Sequence, residues 1–402
     1  MRIVVIFHHF GPYHCARLEA ASNHCEVVGI EIAAETQEYA WSPVENATGY
    51  SRVTLFPKGD TRTMSAKQVS KRVEDTLWRC RPNAAAIPGW SDSAAAAALR
   101  WCAETGTPAI LMSESTMLDA SRVQWREGIK RLIVDLYSTA LVGGQRHVDY
   151  LADLGMPRDR IFTGYDVVDN RYFARNTMEI RNSKFEIRKK YGLPENYFLA
   201  SARFIEKKNL PALIQAYAEY RQRSGVRRQE SVVNGGNAPW DLVLLGDGPL
   251  REPLSSQLST LNLHGHVHLP GFKQYDELPV YYALAKAFVH ASTTEQWGLV
   301  MNEAVASGLP VIASNRCGCV PELVQHNGFT FDPMNPQELA SRLWEMASLS
   351  DGERNFLGDA SYRIAATFTP ERFGEGLEQA AQLAMTRPRK GSPLGRILTK
   401  LL

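Results

Sequence analysis

The chain has 402 residues, 44% hydrophobic and 22% charged, with a formal net charge of +2. That length fits two domains of about 150–200 residues rather than one core, and the near-neutral balance excludes nucleic acid or another bulk anion as the expected partner. No run approaches the ~20 apolar residues of a membrane span, and the apolar run after Arg2 is too short for a secretory leader, so a cytoplasmic location is expected.

In chain order, continuous apolar runs stand at 3–7, 26–32, 84–90, 108–113 and 140–144, separated by stretches with helical periodicity such as SDSAAAAALRWCAET. Strands that are apolar throughout, joined by helices, predict a parallel sheet covered on both faces. The pattern restarts after GYDVVDNRYF (164–173), with strands predicted at 197–203, 241–248, 266–272, 287–292, 310–314 and 328–331. Asn209 reads as the N-cap of the helix that follows the first of these. The polar stretch 224–240 reads as an exposed loop. The predicted fold class is α/β: two doubly wound Rossmann-like domains, 1–166 and 167–368, facing across a cleft, with ligands beyond the carboxyl ends of the strands. Six cysteines show no zinc spacing, and reduced thiols are expected.

The stretch TTEQWGLVMNEAVASGLPVIAS (293–314) carries two glutamates, Glu295 and Glu303, with seven residues between them. Glu295 follows a predicted strand end. The next helix is predicted from Gly298 to Ser307, closed by Gly308 and Pro310, so Glu303 falls in its second turn, about 7 Å beyond Gly298 at 1.5 Å per residue. Between the acids lie the N–H groups of Gly298, Leu299 and Val300 and the positive end of the helix, an anion site suited to phosphate. A nucleotide-sugar satisfies all three features, with its sugar at Glu295, its diphosphate at the helix start and its ribose at Glu303, because a carboxylate accepts two hydroxyl protons. Taken singly, either acid is equally well an ordinary surface residue near a helix N-terminus.

A diphosphate must be neutralised. The chain has no Asp-x-Asp pair and no carboxylate cluster at metal spacing, so no metal is expected and cations must substitute. Arg203 ends a strand in ASARFIEKKNLPALI and Lys208 follows five residues on, placing a guanidinium and an ammonium on one loop. Each alone reads equally well as a solvated charge. Gly246 opens another strand-end turn, GDGP, that lets backbone approach a ligand.

With these residues assembled, the second half resembles the nucleotide-binding domain of retaining GT-B glycosyltransferases. The family is the large one with an E-x7-E motif that includes sucrose synthases, phosphatidylinositol mannosyltransferases and bacterial polysaccharide and lipid glycosyltransferases. SARFIEKKNLPALI, LVLLGDGPL, LPGFKQYDELPVYYALAKAFVHAS and EQWGLVMNEAVASGLPVIAS match in order, over roughly 160–335. The resemblance implies transfer of a hexose-type sugar from a nucleoside diphosphate, UDP more often than GDP, to a hydroxyl of a glycan, lipid or small molecule, with retention and without metal or cofactor. Glu295 would lie beside the sugar, Glu303 on the ribose, Arg203 and Lys208 on the diphosphate, and Gly271, Phe272 and Lys273 at the base. Arg203, Lys208 and the helix dipole would stabilise the leaving group.

The first half is expected to hold the acceptor. Gly11 matches the fold's Gly loop near the diphosphate. His8, His9 and His14 are candidates to orient hydroxyls or take a proton, with packing as the alternative for each. Trp90 and Asp92 in PGWSD, and Ser113 and Glu114 in MSES, end further strands; Trp90 stacks on an acceptor ring or packs in the core. Relatives place a sugar-contacting His near 113–115, where this chain has Ser113, Glu114 and Ser115. Residues 369–386 resemble the fold's last helix, which crosses back to the first domain. The basic and apolar tail 387–402 reads as frayed and solvated, with weak contact at the inner membrane surface as the alternative. The rival functions are a hydrolysing nucleotide-sugar epimerase and a non-catalytic nucleotide-sugar binder. A phosphorylase lacks a recognisable pyridoxal lysine, and a dehydrogenase fails for want of G-x-G-x-x-G after a first strand.

Overall fold

Runs of Val, Ile, Leu and Ala without polar alternation form parallel strands buried on both faces. The computed structural model, which describes residues 1–34, 48–58, 64–230 and 238–399, contains two such sheets. One unit comprises Met1–Asp169 with Phe368–Leu402, the other Asn170–Thr367.

The first unit holds β1 (Arg2–Phe7), β2 (Glu26–Ala33), β3 (Ser51–Phe56), β4 (Ala84–Pro88), β5 (Ala109–Ser113), β6 (Thr139–Val142) and β7 (Ile161–Thr163). Their order is β3-β2-β1-β4-β5-β6-β7, and every pair is parallel. Two strands escape the sequence reading. SRVTLF in β3 mixes polar and apolar residues at a sheet edge, and IFT in β7 is too short to make a pattern. The helix Ser93–Thr105 starts at Asp92, whose carboxylate accepts from the N–H groups of Ala94 and Ala95 at 2.9 and 3.0 Å.

Two C-terminal segments complete this unit. The helix Pro370–Thr386 packs on the helix Pro12–Ser22 and along β6 and β7. The frayed tail expected after it is not observed among the described residues. Asp135 accepts from the Arg389 guanidinium at 2.5 Å and from the Ser392 N–H at 2.7 Å, fixing the short helix Pro393–Thr399 against the helices Ser93–Thr105 and Gln124–Val134. Residues 400–402 lie outside the described residues.

The second unit holds β8 (Tyr197–Ser201), β9 (Asp241–Leu245), β10 (Val267–Gly271), β11 (Ala287–His290), β12 (Val311–Ser314) and β13 (Gly328–Phe331), all parallel in the order β10-β9-β8-β11-β12-β13. Two sequence expectations hold only in part here. Asn209 does stand immediately before the helix Leu210–Glu230, its carbonyl accepting from Leu213 N at 3.1 Å, but it also closes a short 3-10 turn (Glu206–Lys208) with φ 56°, and its side-chain amide donates to the Pro333 carbonyl at 2.9 Å. The stretch from 224 is not all loop, because the helix Leu210–Glu230 continues through it on the helix-favouring Arg227, Arg228, Gln229 and Glu230. Residues 231–237 of that expected loop lie outside the described residues.

Candidate active site

In open α/β sheets the ligand crevice lies where strand order reverses. In the second unit that point falls between β8 and β11, which are hydrogen-bonded neighbours. The loop after β8 carries Arg203 and Lys208, and the loop after β11 carries Glu295. A backbone bond from Thr293 N to the Lys207 carbonyl, 2.9 Å, ties the two loops together.

Glu295 and Lys208, 87 positions apart, form an ion pair between Oε2 and Nζ, each side chain 12% exposed. The same carboxylate oxygen receives His290 Nε2 at 3.0 Å and Ser292 Oγ at 3.4 Å, and those two atoms lie 3.1 Å apart. Burial works against ionisation of Glu295, but His290 and Lys208 outweigh it and hold the carboxyl far below the usual carboxylate range. His290 is 3% exposed, and burial lowers its pKa, partly offset by Glu295. The imidazole is therefore neutral near pH 7. Since a carboxylate only accepts, Nε2 carries the proton.

The helix Leu299–Ala306 starts beside this cluster. Gly298 precedes it at φ 102°, a left-handed conformation that glycine adopts without a Cβ penalty. Even in that conformation a Cβ would stand 3.2 Å from Glu295 Cγ. The N–H groups of Leu299 and Val300 have no intrahelical acceptor, as in any first turn. Glu303, on the same helix, is 3% exposed and lies against the Tyr282 phenol, which burial and this carboxylate push well above its ordinary pKa. Its surroundings are thus an interior, not the open surface of an ordinary acid.

Gly246 has a close neighbour within the chain itself. At φ 124°, its Cβ position lies 1.9 Å from the Ala202 carbonyl oxygen, and Phe204 N donates to the Asp247 carbonyl at 2.8 Å. The close approach is to the chain's own backbone around Arg203, so the GDGP turn buttresses that loop. Arg203 itself is half-buried. Gly271 ends β10 at φ 85°, followed by Phe272, 38% exposed, and Lys273, whose Nζ donates to Glu277 at 3.3 Å.

In the first unit the order reverses between β1 and β4. His8 follows β1 and Asp92 follows β4, and they meet with Nε2 3.4 Å from Oδ2. Burial opposes ionisation of Asp92, but His8 and the helix N–H groups hold its carboxyl below its usual range. His14 accepts from Gly11 N at 3.1 Å through Nδ1, while burial, then Arg17 and the other histidines, hold its imidazole well below its ordinary value. His9 turns away to β2, with Nδ1 3.3 Å from the Ala33 carbonyl. Trp90 packs against the core of this unit. Ser113 is buried and accepts from Ser115 N at 3.2 Å, and Glu114 is half-buried beside it.

Sequence reasoning missed three residues. His290 and Ser292 sit in AFVHAS, where a lone His closing an apolar strand was the available signal. Glu31 is fully buried and accepts from Phe10 N at 2.7 Å, Arg52 at 2.8 Å and Thr54 at 2.9 Å, so it anchors the loop that carries His8 and Gly11. Among the described residues, no group of three or more His, Cys, Asp or Glu is placed to hold a metal ion, and no helix is long and apolar enough to cross a membrane.

Two parallel-sheet α/β domains with these loops define the GT-B class of glycosyltransferase folds. The Anabaena protein HepE, solved with UDP and glucose, superposes with a TM-score of 0.67 at 18% identity over 94% of this chain and 98% of its own. Residues 183–362, which lie within the second unit, match the family model described as Glycosyl transferases group 1. The chain is 30% identical over 210 residues to an alpha-monoglucosyldiacylglycerol synthase of Streptococcus pneumoniae, covering 52% of this chain and 43% of that protein. It is 32% identical over 174 residues to a GDP-mannose-dependent alpha-(1-6)-phosphatidylinositol monomannoside mannosyltransferase of Mycobacterium tuberculosis, covering 41% and 42%. The matched part of this chain thus spans less than half the length of these curated relatives.

Proposed function

We propose that this chain transfers a hexose-type sugar from a nucleoside diphosphate to an acceptor hydroxyl, with retention of anomeric configuration and without a metal or cofactor. The observation that carries this reading is the meeting of Lys208 and Glu295 at the strand-order reversal, beside the start of the helix Leu299–Ala306. In the proposed step the bond from the sugar's anomeric carbon to the phosphate oxygen breaks, and the acceptor oxygen bonds that carbon on the same face. The departing phosphate oxygen takes the acceptor's proton. Arg203, Lys208 and the helix N-terminus stabilise the diphosphate as its charge grows, while Glu295 accepts from a sugar hydroxyl.

HepE's complex with UDP and glucose favours a uridine donor, and the mannosyltransferase named for GDP-mannose keeps guanosine as the alternative. The curated relatives are named for lipid acceptors, which supports a lipid or glycan hydroxyl here. The test is calorimetry and product analysis with UDP-glucose, UDP-galactose, UDP-N-acetylglucosamine and GDP-mannose, each with and without EDTA. One donor is expected to bind and turn over equally well with chelator. Loss of turnover in EDTA would overturn the metal-free mechanism, and no binding of any donor would overturn the transferase reading.

Peripheral contact with an anionic lipid surface is part of the same proposal. Leu394 and Ile397 of the C-terminal helix are exposed at 59% and 56%, on a tail whose described charges are all Lys or Arg. Flotation with phosphatidylglycerol vesicles should carry the wild type upward and leave Leu394→Glu/Ile397→Glu behind. Equal flotation of the two would remove the tail from the membrane contact.

A further inference from the structure

The hydrogen bonds around Glu295 are one-sided. Lys208 Nζ, His290 Nε2 and Ser292 Oγ all reach Oε2, and none reaches Oε1 among the described residues. Only one of these three donors has a second task in the proposed reaction. Lys208 also has to serve the diphosphate, and as its ammonium turns toward phosphate its hold on the carboxylate weakens. A carboxylate this enclosed, left without donors, would reorient or take up a proton, because a buried unpaired charge is costly.

Resting on the transferase reading above, we infer that His290 is a positioning residue for the transfer: with Ser292 it keeps Oε2 of Glu295 anchored while Lys208 engages the diphosphate, leaving Oε1 to accept from the donor sugar. The setting of His290 suits that task. It is the last residue of β11, its ring stacks on Phe288 at 6.4 Å with 12° between planes, and its backbone pairs in register with Ala313 of β12. The donor atom is thus fixed by a strand, whereas Lys208 sits on a flexible four-carbon stem. A neutral donor also adds no positive charge that would compete with Lys208 for the diphosphate.

His290→Leu removes the donor while keeping an apolar side chain in the strand, and His290→Gln retains an N–H near the place of Nε2. The experiment measures kcat, KM and nucleoside-diphosphate affinity with the donor the wild type uses. His290→Leu is expected to lower kcat by roughly 10- to 100-fold, with UDP or GDP affinity changed less than about threefold. His290→Gln should recover most of the loss. In a double-mutant cycle, adding His290→Leu to Glu295→Gln should cost little more than Glu295→Gln alone, because both changes break one interaction. Equal kcat in His290→Leu and wild type, equal losses in the Leu and Gln variants, or fully additive losses in the cycle would each overturn this inference while leaving the transferase reading intact. A wild type that turns over no nucleotide-sugar would overturn both. A fall in UDP or GDP affinity and in Tm matching the fall in kcat would assign His290 a merely structural role.

Discussion

Glu295→Gln is expected to lower kcat for sugar transfer by about 1,000-fold while the protein stays folded and still binds the nucleoside diphosphate. The carboxylate has to accept from a sugar hydroxyl, and an amide in its place offers one acceptor oxygen and an N–H pointing the wrong way. Removing one preorganised electrostatic partner typically costs 10²–10³ in rate, about 3–4 kcal/mol. Lys208→Ala should lose a comparable factor, but with a different signature: nucleotide affinity falls as well, because the ammonium serves ground state and transition state alike. The split is the check. Nucleotide affinity falling equally in both variants would contradict separate roles for the two partners of the ion pair, and turnover within tenfold of wild type in Glu295→Gln would remove that residue from the chemistry.

Gly246→Ala is expected to be severely destabilising to the second unit. Two penalties coincide there: φ 124° is a conformation that an L side chain rarely adopts, and the new Cβ would stand 1.9 Å from the Ala202 carbonyl oxygen. The backbone must move, and it is the backbone next to Arg203. A loss of more than about 4 kcal/mol is expected, which for a unit of this size lowers Tm by roughly 10 °C or prevents folding. Gly271→Ala is the control. It shares a positive φ, 85°, but its Cβ position has open space around it, so its cost should stay near about 1 kcal/mol. Thermal denaturation of the two variants side by side decides the matter, and equal costs would mean that the contact with Ala202 is not what requires glycine.

What could be read in the sequence was what is local along the chain. The spacing of Glu295, Gly298 and Glu303 lies within a loop and two helical turns, and the helix start lies one residue from its expected place. The uniform apolar character of β1 and β8 announced parallel sheets because burial on both faces leaves no room for alternation. The pairing of Lys208 with Glu295 was not legible, since it depends on β8 and β11 becoming neighbours in the sheet. At Gly246 the sequence shows that backbone comes close, and the structure adds a neighbour that spacing alone does not name, the Ala202 carbonyl. His290 was passed over because a histidine in an apolar strand is usually a packed residue. Its meaning comes from the atom it reaches, five residues on and across a turn.

The first unit is assembled from both ends of the chain, with all of Asn170–Thr367 inserted between its parts. On a ribosome the inserted unit emerges whole while the first still lacks the helix Pro370–Thr386 that covers β6, β7 and the helix Pro12–Ser22. At 5–20 residues per second, the N-terminal sheet waits on the order of ten seconds or more with that apolar flank uncovered. The unit begun second is therefore the first able to finish folding, and the nascent first unit is where a chaperone would find something to hold.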